Sequence, residues 1–486
     1  MSNYPPSYKH WFYFVLVLII SVDLGYSFMQ HYSEVVDGDV ARITLAYKEV
    51  LNDPFGMKVV LEGKYYPNPN RYFAHLIQSE YFLKVPLALQ FFFDPIESIY
   101  ISCALLKLMI QIGFIWLLTI YANGSIRVRS LSFLWTTLLI FPFIQNTQFN
   151  SYLGLILEPI TYTISYSLPL VLFLLFLLPY YQQAIQERSF LQSNWIQLLW
   201  MGLSVFIILN GPLVPPLVLL ILPTILFFWW VRSVDFSTQQ GIINNAMKGV
   251  LKMPRRLTLL SVWTILFSLY SFYLGTYNVD NVTIPLSERY QLMSQGLIKH
   301  LSTKLAFPLL LGFSILNTVL ISKFQEKEAQ FKYGLYKSIA VLSIIYILLL
   351  PFGGYREYRP LIINGDTMMP ISIALIFCFA SSSRYLLLAY RNRAKKLFLF
   401  GVSFVLIYFM VADRPNFGKH DCEKEMLTLI SQATTKEVKI LQPCSVMTWD
   451  TISNKHASNY NCELLQIWGI TEVVELYYNE TKKKAK

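Results

Sequence analysis

The chain has 486 residues, of which 55% are hydrophobic and only 14% charged, and its mean hydropathy is +0.44. A soluble domain carries about 25% charged residues, so this chain cannot cover a water-facing surface of its size, and runs such as LVLFLLFLL exclude the alternating strands of a β-barrel. The net charge of +11 does not point to nucleic acid, because most basic residues fall in short connections between apolar runs, where membrane insertion places them.

The pattern is that of an α-helical polytopic membrane protein. Trp11–Met29 is the first expected span, read as a retained signal anchor with its N-terminus in the cytoplasm. Directly behind it stands YSEVVDGDVAR, Tyr32 to Arg42, which carries three acids, Glu34, Asp37 and Asp39. Residues 31–98 form a long loop. Two amphipathic stretches in it, Val40–Leu51 with Asp39 near its N-cap and Arg71 to about Phe93, read as helices lying in the membrane interface. Between them EGKYYPNPNR reads as irregular. Further spans are expected at about 99–121, 131–144, 162–180, 195–210, 213–231, 258–277, 306–322, 339–353, 370–390 and 397–412, about eleven in all. The stretch around NGPLVPP also fits a re-entrant hairpin.

Alternating the loops gathers Lys and Arg on one side, with Arg127, Arg129, Arg188, Arg255, Arg256, Lys323, Lys327 and Arg391 to Lys396 among them. The other side holds few: Arg289, Lys299 and Lys304 in one short loop, Arg356 and Arg359 in another. This asymmetry predicts an N-in, C-out topology, with the first loop and the C-terminal segment both outside. Residues 1–412 then form a transmembrane module and 413–486 a small soluble α/β domain, with CEKEMLTLISQA as helix and KEVKILQP and ITEVVELYY as strands. Two of its three cysteines, Cys422, Cys444 and Cys462, can pair in an oxidising compartment.

Chemistry is sought on the outer side, because topology already accounts for the inner charges. In Asp37-Gly38-Asp39, a carboxylate beside low-dielectric lipid has a raised pKa and suits a general base, and two neighbouring acids suit a divalent metal. A turn with an N-cap explains the same residues. In GGYREYRP, Tyr355, Arg356 and Arg359 suit a lipid phosphate, whereas an ion pair with Glu357 is the plainer account. NPNRYFAH offers Asn68, Asn70, Arg71 and His75, of which Arg71 and His75 are four apart on an expected helix and face one cleft, or simply solvent. Glu158, in LILEPITY, is a further candidate, and Asp23 and Arg384 are costly charges inside spans. The chain has no Walker A, GxGxxG, HExxH or fitting GxSxG pattern, which removes support from ATP-driven transport, redox chemistry and metalloprotease activity.

The layout resembles the GT-C superfamily of membrane glycosyltransferases: an N-in span, acids shortly after it in a long outer loop, interfacial helices, about ten more spans and a small outer C-terminal domain. DGDVAR resembles the acidic first-loop motif of protein O-mannosyltransferases and aminoarabinose transferases. That motif is typically DE followed by an aromatic; here it is DGD without one, so which acid corresponds stays open, with Asp39 favoured and Asp37 its partner. YPNPNR resembles a proline-rich first-loop motif, and multi-span GT-C-like proteins of Bacteroidetes look similar. The resemblance implies a polyprenyl-phosphate-linked sugar donor. It also implies phosphate binding by Arg356 and Arg359, proton abstraction by Asp39, and a place in a bacterial inner membrane with the C-terminal domain periplasmic. Three alternatives stay open, one of them a non-catalytic membrane scaffold with its tail as docking module, which tolerates loss of the outer acids. A lipid-linked glycan polymerase or ligase needs no first-loop acid, and a transporter or flippase shows repeats or broken spans at mid-membrane.

Overall fold

The computed structural model describes residues 6–145, 153–186, 191–234, 242–303, 305–412, 414–473 and 476–480. Helices dominate because apolar residues run on for more than the roughly 20 positions needed to cross a bilayer, where every backbone amide must bond within its own segment. Among the described residues eight helices are long and apolar enough to cross a membrane: His10–Tyr32, Pro95–Asn123, Ile160–Ala184, Val214–Ser233, Arg255–Gly275, Lys327–Phe352, Gly365–Ala389 and Asn392–Val411. A ninth exists if Leu286–Thr303 and Ala306–Ser322, bent by 85°, form one span. The other expected spans, at 131–144 and 195–210, fall on the shorter apolar helices Leu131–Phe143 and Asn194–Ile208.

Two helices form the middle of the bundle. The apolar windows of Pro95–Asn123 and Gly365–Ala389 are 67% and 72% buried, against 17% for the first span and for Asn392–Val411. The central helix Pro95–Asn123 also carries Lys107, which is 1% exposed and forms an ion pair with Glu34. The same ammonium donates to the backbone carbonyl of Glu158, so one lysine ties the start of the first loop to the turn before Ile160. Burial pushes the Glu34 carboxyl up to about 7, against the opposing pull of Lys107. Breaking a buried ion pair from one side costs about 3–5 kcal/mol. Lys107→Met is therefore expected to lower the thermal unfolding midpoint sharply, and adding Glu34→Gln should recover much of the loss. Equal midpoints for the single and double variants would remove the pair from the account of stability.

The first loop departs from expectation in its first half. Instead of one helix over 40–51 there is a π-helical turn, Arg42–Ala46, then a break at Tyr47 (ψ 46°), then the short helix Lys48–Leu51. The second expected helix is present as Tyr72–Leu89 and ends before the exposed Phe91 and Phe92.

In the C-terminal segment the expected helix is Asp421–Ser431, and the expected strands are Glu437–Ile440 and Leu476–Asn479. They pair in parallel, Glu437 opposite Leu476. Parallel pairing needs a crossover, and the helix Asn459–Ile467 supplies it. Cys422 is bonded to Cys444, with their Cα atoms 6.2 Å apart, and Cys462 remains a buried thiol. The segment docks through Trp468, which is fully buried. Its indole donates to the carbonyl of Phe82 at 2.7 Å, and Gln90 donates to the Trp468 carbonyl at 2.7 Å.

Candidate functional site

The site begins where the first loop meets the C-terminal segment. Glu423, 1% exposed, accepts hydrogen bonds from the backbone amides of Val36 (2.9 Å) and Met447 (2.7 Å) and from the Tyr100 hydroxyl (3.0 Å). Burial pushes its carboxyl up to about 7 even with these three donors. Two residues beyond Val36, a Cβ on Gly38 would lie 2.7 Å from the Trp449 amide nitrogen and 2.8 Å from its Cδ1. The glycine in DGD therefore permits a close approach of two backbones.

The two aspartates have different surroundings. Asp37 is 4% exposed. It accepts from the Thr161 amide (3.0 Å), the Thr161 hydroxyl (2.8 Å) and the Asp39 amide (3.1 Å), which fastens the loop to the start of Ile160–Ala184. Burial still raises its carboxyl to about 6. Asp39 is only half-buried. The helical run begins at Val40 and the Asp39 carbonyl accepts from the Ile43 amide at 2.9 Å, so Asp39 stands at its expected N-terminal end, while the π-helical turn itself has no side-chain cap. Burial raises the Asp39 pKa, against the opposing pull of the Trp449 side chain and of Arg42 and Arg359. Asp37 and Asp39 thus have different partners. Among the described residues no group of three His, Cys, Asp or Glu side chains is arranged to hold a metal ion.

Arg359 links this acid to a cavity. Its guanidinium stands over the rings of Tyr162 (4.9 Å), Tyr166 (5.4 Å) and Tyr358 (5.8 Å). It donates to the Tyr166 hydroxyl at 2.8 Å and forms an ion pair with Asp366, at the start of Gly365–Ala389. Tyr162 precedes, and Tyr166 lies within, a π-helical turn, Thr163–Ser167, a local unwinding often found at functional sites.

The cavity has a volume of about 750 Å³. Arg71, Arg289, Arg356 and Arg359 line it, and apolar walls come from the ends of three spans, with Leu219, Phe272 and Leu349 as examples. The four cations are not equivalent. Arg359 is neutralised by Asp366. Arg289 donates to the carbonyls of Ile284 (3.2 Å), Pro351 (3.2 Å) and Gly353 (2.9 Å). Among the described residues Arg356 has only neutral partners, the Tyr358 hydroxyl (2.6 Å) and Asn68 Oδ1 (3.4 Å). Arg71 has the Tyr166 ring at 5.9 Å, and its Nε is buried without a hydrogen-bond partner. Burial and the neighbouring Arg356 and Arg359 lower its pKa, against the pull of Tyr166 and Tyr358.

Of the residues expected in the site, Arg71, Tyr355, Arg356 and Arg359 meet in the cavity, and Asp39 lies within electrostatic reach of Arg359. The anticipated ion pair with Glu357 is replaced by the one with Asp366. His75 is 3% exposed and packs on Tyr47 at 5.0 Å outside the cavity lining. Burial and Arg71 push it down to about 3, so it is neutral at physiological pH. Glu158 pairs with Lys419 at 2.6 Å and also stands apart from the cavity. Sequence reasoning missed Glu423, Trp449 and the cavity position of Arg289; only Arg289 had a signal, as a cation on the sparsely charged side. No family model matches the chain, and no match is found among curated proteins or solved structures.

Proposed function

We propose that this protein is a membrane glycosyltransferase of GT-C type that moves a sugar from a polyprenyl-phosphate donor to an acceptor hydroxyl. The observation that carries this reading is the cavity, where arginines short of counter-charge meet apolar walls built from span ends. A lipid with an anionic head and a long hydrocarbon tail has that chemistry. Arg71 and Arg356 hold the phosphate, while Arg359, already paired with Asp366, orients the tyrosines between cavity and acid. The acceptor oxygen attacks the anomeric carbon, its proton passes to Asp39, and the bond from the anomeric carbon to the phosphate oxygen breaks. The electron pair leaves on the phosphate, which becomes a monoester with one more negative charge, stabilised by the cations. On this reading the site faces the periplasm, with the N-terminus of the first span in the cytoplasm.

The 85° break between Leu286–Thr303 and Ala306–Ser322 favours a second reading, a lipid transporter without transfer chemistry. Mass spectrometry of lipids co-purified in mild detergent, with a transfer assay on the same sample, separates the two. Polyprenyl phosphate or its sugar conjugate, depleted in Arg71→Ala/Arg356→Ala, together with transfer, supports the enzyme. The same lipid without transfer to any hydroxyl acceptor supports the transporter.

A further inference from the structure

Two helices that line the cavity at one end carry a pair of cations at the other. Asp366 and Thr367, at the start of Gly365–Ala389, and Leu349 and Phe352, at the end of Lys327–Phe352, belong to the cavity wall. Arg384 comes eighteen residues after Asp366 on the same helix. That places it about 27 Å away at the helical rise, close to the thickness of a hydrocarbon core. Lys332 lies in the opening turns of Lys327–Phe352, at the same far end.

Hydroxyl groups rather than acids hold these two cations. Lys332 Nζ donates to Ser381 Oγ at 3.2 Å, and the Tyr336 hydroxyl donates to the same oxygen at 3.0 Å. Ser381 precedes Arg384 by three residues, so the two share one face of their helix. Arg384 donates to Ser132 Oγ at 3.2 Å, and that hydroxyl donates onward to Asn123 Oδ1 at 2.7 Å. Among the described residues no carboxylate pairs with Arg384. Lys332, with its side chain 14% exposed, meets Glu328 only at 3.7 Å, and the Glu328 side chain is 63% exposed. Glu326 is engaged by the Tyr385 hydroxyl at 3.1 Å. An ion pair with so exposed an acid contributes little, and poorly matched cations beside apolar spans cost free energy until an anion meets them.

We infer that Lys332 and Arg384 form a second anion site, at the end of the bundle opposite the cavity, which takes the phosphate of an anionic phospholipid. A basic pocket between spans suits such a head group. The apolar surface beside it suits acyl chains: Phe331, next to Lys332, and Leu388, one turn beyond Arg384, are both exposed.

The test is photolabelling of the full chain in mild detergent by a phosphatidylglycerol with a diazirine beside its head group, the labelled peptides being mapped by mass spectrometry. Peptides that contain Lys332 or Arg384 should be labelled, and unlabelled phosphatidylglycerol should compete about tenfold better than zwitterionic phosphatidylcholine. Lys332→Gln/Arg384→Gln should lower this labelling about tenfold, whereas Lys332→Arg, which keeps the charge, and Arg71→Ala/Arg356→Ala, which alters the cavity, should retain it. If the double glutamine variant does not fold, Lys332→Gln and Arg384→Gln are measured singly, each with a loss of several-fold expected. Competition by inorganic phosphate as strong as that by phosphatidylglycerol upholds the anion site and gives it free phosphate as ligand. The inference is overturned by labelling that survives the glutamine variants, by equal competition from phosphatidylcholine, or by labelling confined to other peptides. Equal loss in Lys332→Arg and Lys332→Gln also overturns it, since packing and not charge then governs the labelling.

Discussion

Asp39→Asn is expected to lower turnover by about 10²- to 10⁴-fold, the range for loss of a positioned general base, while leaving donor binding and thermal stability close to wild type. The half-buried carboxylate it replaces is disfavoured by burial, so the fold has little to lose. Asp37→Asn should behave in the opposite way. Both oxygens of Asp37 accept hydrogen bonds, from Thr161 and from the Asp39 amide, and an amide group must turn its NH₂ against one of these donors. A buried donor left without an acceptor costs about 1–3 kcal/mol, so the variant unfolds at lower temperature and its activity falls with its folded fraction. The wild-type pH profile carries the same distinction. The folded pKa of Asp39 lies above its ordinary value, the ionised form is the competent base, and activity is lost as pH falls through that raised pKa. Asp39→Asn removes this limb from whatever activity remains, whereas Asp37→Asn keeps it. Near-normal turnover in Asp39→Asn, with the acid limb intact, would assign the base elsewhere.

The membrane-spanning architecture was legible because it depends on run length and on the poverty of charge, both local properties of the sequence. What was not legible depends on partners far away in the chain. The pattern over Val40–Leu51 reads as one amphipathic helix, and nothing in it announces the π-helical turn or the break at Tyr47. The C-terminal strands were visible as β-branched and aromatic runs. Their crossover helix was hidden, because Asn459–Ile467 has only a short apolar face, centred on Cys462, Leu464 and Leu465. In the site, Arg356 and Arg359 stood out because they oppose the charge bias, but their roles follow from pairings that sequence spacing does not encode. Glu158 is drawn away by Lys419, 261 residues on, and Glu423 reaches back 387 residues to Val36. Gly38 reads as part of a turn; its reason is the Trp449 backbone in front of it.

Arg71→Met is expected to weaken donor binding by about 10- to 100-fold while raising the stability of the ligand-free protein. A hydrogen bond to a charged phosphate contributes about 1.5–3 kcal/mol, and each 1.4 kcal/mol is tenfold in affinity. Arg71 suits that role because its charge meets no carboxylate: a tyrosine face at 5.9 Å and a buried Nε without a partner are poor replacements for water. Holding such a cation in place destabilises the empty protein, so an apolar side chain of similar length removes a cost as well as a function. Arg359→Met should have the other sign. It leaves Asp366, 6% exposed, without its counter-charge beside the phosphate position. The unfolding temperature falls, and donor affinity falls too, because the carboxylate now repels the anion it had been shielded from. Binding of a radiolabelled polyprenyl phosphate and thermal unfolding, measured on both variants, decide between the two cations. The assignment to Arg71 fails if its variant binds the lipid like wild type or melts earlier than Arg359→Met. The contrast exists because four arginines line one cavity and, among the described residues, only Arg359 is balanced by an acid, so the uncompensated charge is available to a ligand.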